Sequence, residues 1–217
     1  MIHPSRGRAD KSADTAANWI ASIGSGISWE LKISLDISDK TGPQYLKNYL
    51  IPSESGLDIT FSMNDNKSVV EATNIAAEHS RGDILIYMSD DFKTPDNWGQ
   101  LILKEFEGVT EPMLLHVDDC LQPMHARVLT IPIMNRQLYN KLGYFFHPEY
   151  KSMHVDTDLY ETCDRIKAIR KAPHLKFPHE HVSIGKAPDD ETYRNSAKNW
   201  EQGKAVFAKR KAAGFPV

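Results

Sequence analysis

Gly82-Asp83-Ile84-Leu85-Ile86-Tyr87-Met88-Ser89-Asp90-Asp91-Phe92 is the stretch on which the fold turns. A Gly-Asp turn feeds a short apolar run, and the run ends on two adjacent carboxylates. It is far shorter than a membrane span and reads as a buried strand of a parallel sheet. Ligands of open α/β sheets bind just outside the carboxyl ends of the strands. Two neighbouring carboxylates repel unless a cation joins them, and hard divalent ions take carboxylate and phosphate oxygens together. A second reading is structural: Asp90 and Asp91 cap the following helix, where Thr94-Pro95-Asp96 is also a start signal.

Upstream, strand and helix signals alternate. Trp29 to Leu35 alternates with period two and ends on Asp36, a carboxylate at a strand tip. Gly42-Pro43 opens a short helix over Tyr45 to Leu50, and Leu57 to Phe61 is a second alternating strand. Ser68 to His79 carries Val69, Val70, Thr73, Ala76 and Ala77 at helical spacing and closes on Arg81-Gly82. After the Ile84 strand comes a helix over Gln100 to Phe106. This βαβαβα order predicts a doubly wound α/β sheet.

Downstream the pattern is less regular. Met113 to Val117 and Val128 to Met134 read as strands, with Asp118-Asp119 after the first, either a strand-end turn or a second acidic cluster. Asn135-Arg136 begins a short helix ending at Leu142-Gly143. An aromatic loop, Tyr144 to Met153, precedes an amphipathic helix over Asp156 to Ile169. Leu175 to Phe177 reads as a short strand, and Asp189 to Lys211 as one long helix, polar on most faces and anchored by Tyr193, Trp200 and Phe207. Trp19, Trp29 and Trp200 are expected to pack in the core or pin helices. Tyr144, Phe145, Phe146 and Tyr150 pack there too, or stack on an acceptor.

The 217 residues suit a single domain, with no internal repeat or linker. The net charge of −3 argues against a global field for nucleic acid. Lys198, Lys204, Lys209, Arg210 and Lys211 form a local basic stretch, read as a solvated helix face. Cys120 and Cys163 are the only cysteines, so no disulfide framework is implied and a reducing compartment fits. No apolar run approaches a membrane span, and Arg6, Arg8, Asp10 and Lys11 stand where a signal peptide needs its apolar core. The expected location is cytoplasmic.

Four segments, in order along the chain, resemble an inverting, metal-dependent GT-A glycosyltransferase of the family 2 type. His3-Pro4-Ser5-Arg6-Gly7-Arg8 resembles the Pro-Thr/Ser-Arg-x-Arg turn after the first strand. Asn66 to Asn74 resembles the helix leading to the metal strand, whose late Asn is a family mark. Ser89-Asp90-Asp91, with Pro95 and Trp98 behind it, stands at the family's Asp-x-Asp or x-Asp-Asp motif. His154-Val155-Asp156-Thr157-Asp158-Leu159 resembles the Gly-Glu-Asp-x-Asp-Leu segment that opens the acceptor-side helix. There are departures. Only Met1, Ile2 and His3 precede Pro4 where the family has a full apolar strand, and Val155 replaces an acceptor-side Glu. Met88 and Ser89 replace positions that are commonly acidic.

The resemblance implies one GT-A domain over residues 1–217, a Rossmann-like mixed sheet flanked by helices, with a nucleotide-sugar half at 1–110 and an acceptor half at 111–217. It places a nucleotide-sugar donor such as a UDP-sugar on Pro4, Ser5, Arg6, Arg8, Asp36, Lys67, Asn74 and Asp90. Arg6 and Arg8 offer forked donors to phosphate, or are ordinary surface charge. Asp36 receives the base edge or caps a turn. Mn²⁺ or Mg²⁺ is implied on Asp91, joined by a late His: His179 and His181 share one face if extended, and His181 is preferred over His179. The bland reading of that pair is two surface histidines. Asp156 is implied as general base, with Asp158 in reserve, although the N-cap of a helix explains Asp156 equally well. The acceptor is open: a saccharide, a lipid-linked intermediate, a protein or a modified nucleobase. Competing readings are a metal-dependent hydrolase built on Asp90-Asp91, Asp118-Asp119 and His179-His181, and a non-catalytic sugar-nucleotide-binding module.

Overall fold

A computed structural model describes residues 1–49, 58–187 and 189–217. Three parallel strands, β1 (Ile2–Ser5), β2 (Glu30–Asp36) and β3 (Asp58–Asn64), lie in the order β1-β2-β3. A second group, β4 (Ile84–Ile86), β5 (Leu114–Asp118), β6 (Ile133–Asn135) and β7 (Ile169–Lys176), lies in the order β4-β6-β5-β7. There β6 runs antiparallel to both neighbours, while β5 and β7 are parallel. A parallel bridge from Ile2 to Tyr87 and the bond from Met88 N–H to Ile2 O, 2.8 Å, join the groups into one mixed sheet. The fold is thus α/β with a mixed sheet flanked by helices, as anticipated.

Burial follows the strand pattern. Leu31, Ile33 and Leu35 of β2 are sealed against α1 (Ala9–Ser22), whose Trp19 meets Trp98 edge-on at 5.2 Å and Phe177 at 6.0 Å. Trp98 opens α4 (Trp98–Phe106), and its indole N–H donates to the Trp19 carbonyl at 2.8 Å. Trp19 is therefore core, as expected. His3 is also buried, and burial lowers its pKa. The neutral ring donates from Nδ1 to the Met88 carbonyl and accepts at Nε2 from Ser12, each at 2.7 Å. These bonds tie β1 to α1 and to the segment leaving β4.

Helix α2 (Gly42–Asn48) and β3 match the expected helix and strand, apart from Leu50 and Leu57, which lie outside the described residues. Ser68 caps α3 (Val69–Glu78) by accepting from Glu71 N–H, and Glu71 in turn accepts from Lys67 N–H, a reciprocal arrangement of the capping-box kind. Asn135 caps α5 (Arg136–Leu142), which Gly143 closes at φ 75°. Phe145, Phe146 and Tyr150 are buried, which settles them as core.

Several elements differ from expectation. Helix α1 was not foreseen, because its buried stripe of Ala9, Ser12, Thr15, Ala16 and Trp19 is built mostly of small residues. The strand expected over Val128 to Met134 is regular only at β6. Helix α6 (Val155–Arg165) stops short of Ile169 because Lys167 adopts φ 56° and Ala168 N–H returns to Cys163 O at 2.9 Å. The chain leaves that turn as β7, which is far longer than the short strand expected near Leu175. The long C-terminal helix is two, α7 (Glu191–Ala197) and α8 (Trp200–Ala212), and Trp200, 49% exposed, lies 4.5 Å from the His154 ring at the start of α6, which is the helix-pinning alternative rather than core.

Helix α8 is fastened to α6 by a buried ion pair. Arg210 donates from Nε to Asp158 Oδ2 at 3.0 Å and from Nη2 to Oδ1 at 3.2 Å, and Tyr150 and Thr162 complete the shell. At Gly203 a Cβ would collide with the Met153 carbonyl, so the two backbones touch. Among the described residues no helix is long and apolar enough to cross a membrane. Removing one member of a buried pair strands the other charge. Arg210→Ala should therefore lower unfolding stability by about 3–5 kcal/mol in chemical denaturation. A loss below about 1 kcal/mol would show that the pair does not hold α8.

Candidate functional site

Asp90 and Asp91 follow β4, and helix α4 begins only after Asn97. They are not its caps, so the structural reading of this pair fails. Three backbone bonds bring the segment after β7 onto them: Lys93 N–H to Pro178 O at 3.0 Å, Glu180 N–H to Asp91 O at 2.6 Å, and His179 N–H to Asp119 O at 2.9 Å. Phe92 and His179 pair across this antiparallel contact, and their rings stack at 4.2 Å.

This clamp puts His179 Nε2 3.2 Å from Asp91 Oδ2, which also accepts from the Tyr193 hydroxyl at 2.9 Å. Burial alone would raise the Asp91 pKa, but His179, Ser89 and Tyr193 outweigh it and hold the carboxyl well below the usual range. Burial opposes the His179 charge too, yet Asp119 and Asp91 push its pKa up to about 9. Of the two histidines expected there, His179 is the one that touches Asp91. His181 caps a 3₁₀ turn at Val182–Ile184, its ring centroid 4.9 Å from that of His179, and Asp91 bonds to His179 instead.

Arg8 is the second focus. Its Nη1 donates to Asp90 Oδ1 at 2.8 Å, while Nε and Nη2 form a fork on Asp190 at 2.7 and 2.6 Å. The guanidinium lies 4.7 Å over the Tyr193 ring, and Lys11 Nζ is 3.6 Å from Asp90. Thus Arg8, Asp90, Asp91 and His179 converge from the ends of β1, β4 and β7, with α7 laid across them. Sequence reasoning missed Tyr193, Asp190 and Lys11. Tyr193 was read only as a helix anchor, and no local motif marks a contact to residues so far away along the chain.

The other expected donor-side residues divide. Asp36 is buried at the tip of β2, where Arg6 reaches it at 3.0 Å and Ser38 donates to its other oxygen. Pro4 and Ser5 lie within β1, and the Ser5 hydroxyl bonds to Tyr45 at 2.8 Å. Lys67 is exposed and paired with Asp65. Asn74 is engaged elsewhere: its Oδ1 accepts from Phe145 and Phe146 N–H, and its Nδ2 donates to Phe146 O. That amide pins the aromatic loop.

On the expected acceptor side His154, at φ 68°, holds the cap position of α6. Asp156 is thus in the first turn rather than at the cap. It is half-buried, its Oδ1 accepts from Thr157 N–H at 2.8 Å, and burial raises its pKa. After burial itself, the charges of Asp91, Asp90 and Asp156 all push up the Tyr87 pKa, so one hydroxyl senses both acidic groups. Asp158 faces Arg210 in the core and has no free oxygen to serve as a base.

Among the described residues no three His, Cys, Asp or Glu side chains form a ready-made metal cage. A cation shared with a diphosphate needs none, because phosphate oxygens and water fill most of its shell. The residues present fit that case. Asp91 Oδ1 is buried with no hydrogen-bond partner among the described residues, and the His179 imidazole stands beside it.

No protein-family model matches the chain, and no curated protein matches it by sequence. Solved structures do. Mannosyltransferase PcManGT from Pyrobaculum calidifontis, solved with GDP-Man and Mn²⁺, superposes with TM-score 0.67 at 12% identity, over 98% of this chain and 74% of that one. Glucosyl-3-phosphoglycerate synthase from Mycobacterium tuberculosis, with Mn²⁺, UDP and phosphoglyceric acid, gives 0.58 at 17%, over 99% and 78%. TarS 1-349 of S. aureus gives 0.61 at 13%, over 82% of this chain, which spans only 59% of that one. At these identities the likeness is one of fold, and the fold is that of the GT-A glycosyltransferases.

Proposed function

We propose that this chain transfers a sugar, with inversion, from a nucleotide-diphosphate donor to an acceptor hydroxyl, using a divalent cation. The observation that carries the reading is Asp91 Oδ1, a buried carboxylate oxygen with no partner among the described residues, beside His179 and next to the Arg8–Asp90 pair. A buried polar atom is expected to be satisfied, so one left open at a strand end points to a ligand. The fold neighbours solved with UDP or GDP-Man and with Mn²⁺ support the same reading.

In this account Asp91 and His179 hold the cation, which supplies positive charge to the departing diphosphate. Arg8 binds the phosphates with the fork that now holds Asp190, so Asp190 must yield that fork when the donor binds. Asp36 takes the base edge and Asp90 the ribose. Asp156 accepts the proton of the acceptor hydroxyl. The freed oxygen attacks the anomeric carbon from the face opposite the diphosphate, and the electrons of the breaking bond pass to the phosphate oxygen. Partial desolvation of Asp156 raises its basicity, which suits that task.

A thermal-shift panel of nucleoside diphosphates and nucleotide sugars, with and without Mn²⁺, tests the donor reading through linkage. We expect a Mn²⁺-dependent rise in unfolding temperature with UDP or GDP; no response to any nucleotide would refute it. Asp91→Asn should abolish the Mn²⁺-dependent part, and His179→Ala should weaken metal binding more than His181→Ala. Equal, negligible effects of the two His variants would remove His179 from the shell.

For the base, Asp156→Asn should leave donor binding intact and cut turnover by about 10²–10⁴-fold in a transfer or donor-hydrolysis assay. Full activity in Asp156→Asn would exclude a single-base mechanism through this residue.

A further inference from the structure

His179 presents its two ring nitrogens to two carboxylates. Nε2 is 3.2 Å from Asp91 Oδ2, and Nδ1 is 3.8 Å from Asp119 Oδ2. Stacking on Phe92 and the backbone bond from His179 N–H to Asp119 O hold the ring in this orientation. Nδ1 is buried and has no hydrogen-bond partner among the described residues.

Asp119, only 3% exposed, divides its oxygens between two tasks. Oδ1 accepts from Leu121 N–H at 2.9 Å and Gln122 N–H at 2.7 Å, which makes the turn after β5. That turn needs nothing from Oδ2. Yet Oδ2 is held too, by the Thr130 hydroxyl at 2.7 Å, and it is the oxygen that faces the imidazole. A carboxylate whose second oxygen is fixed and directed at a buried ring nitrogen is more than a turn residue.

We propose that Asp119 is a positioning residue that keeps the His179 proton on Nδ1, so that the Nε2 lone pair stands beside Asp91 for a divalent cation. The proposal rests on the metal reading above and extends it beyond the ligands themselves. At 3.8 Å the Nδ1–Oδ2 contact is an ion-pair distance, and a shift of about 1 Å brings it within hydrogen-bond reach. Metal-bound imidazoles ordinarily donate their other N–H to a carboxylate or carbonyl, which sets the tautomer and strengthens the ligand. Thr130, Asp119, His179 and Asp91 then form one line from the turn after β5 to the cation.

Asp119→Asn separates the two tasks. Its amide oxygen can keep both turn bonds, while its NH₂ replaces Oδ2 and offers Nδ1 a donor. That favours the opposite tautomer, with the proton on Nε2, where it blocks ligation. Mn²⁺ affinity, read as free Mn²⁺ by electron paramagnetic resonance with UDP present, should fall about 10–100-fold. The unfolding midpoint and metal-free UDP affinity should stay close to wild type. Ring ¹⁵N shifts of His179 in the Mg²⁺-loaded protein should report Nδ1–H in wild type and Nε2–H in the variant. Thr130→Val, which frees Oδ2 but keeps the carboxylate, should weaken Mn²⁺ binding in the same direction by less. Wild-type Mn²⁺ affinity in Asp119→Asn, or in Thr130→Val should the first variant not fold, overturns the proposal and leaves the metal reading standing. No Mn²⁺ binding by the wild-type protein overturns both, and that arm identifies the failure.

Discussion

The burial of the Asp91 carboxylate is the constraint around which the site is organised. A charge enclosed at a strand end is tolerated only where partners compensate the lost water. Here the partners come from the far end of the sequence: His179 after β7 and Tyr193 in α7. Satisfying Asp91 therefore draws the C-terminal third of the chain across the carboxyl edge of the parallel strands. The same closure carries Asp190 onto Arg8 and stacks that guanidinium over Tyr193. One oxygen of Asp91 is nevertheless left without a partner among the described residues.

Two aspartates two positions apart on α6 illustrate how environment assigns roles. Asp158 faces the core, where Arg210, Tyr150 and Thr162 surround it, and it serves the attachment of α8. Asp156 is half-buried, bonded to little beyond its own helix turn, and within the electrostatic reach of Tyr87. A fully paired carboxylate has no oxygen to receive a proton, whereas a partly desolvated, lightly bonded one does.

Much of the sheet was legible because its strands carry large apolar residues with clear ends, as in Leu31-Ile33-Leu35 before Asp36 and the Ile84 run before Asp90. Helix α1 was hidden because Ala, Ser and Thr can line a buried face when Trp19 fills the gap beneath them. The α6–β7 boundary was misplaced because Lys167 takes a left-handed conformation that its residue type does not advertise. Of the candidate site, Arg8, Asp90, Asp91 and the His179–His181 pair sit in local motifs and meet at the strand ends. The Asn74–Phe146 bond and the His179–Asp91 contact were not legible, because each joins residues more than seventy positions apart. Tyr193 was seen as a helix anchor, and its contact with Asp91 follows only from the closed C-terminal segment.

The central claim is that Asp91 and His179 form the protein's half of a cation site whose other half is a diphosphate held by Arg8. A crystal structure grown with UDP and Mn²⁺, with data collected at the manganese absorption edge, addresses it directly. The account predicts one anomalous peak within ligand distance of Asp91 Oδ1 and His179 Nε2, bridging to phosphates that have displaced Asp190 from Arg8. Manganese bound away from Asp91, or a nucleotide seated with Arg8 still closed on Asp190, would contradict it.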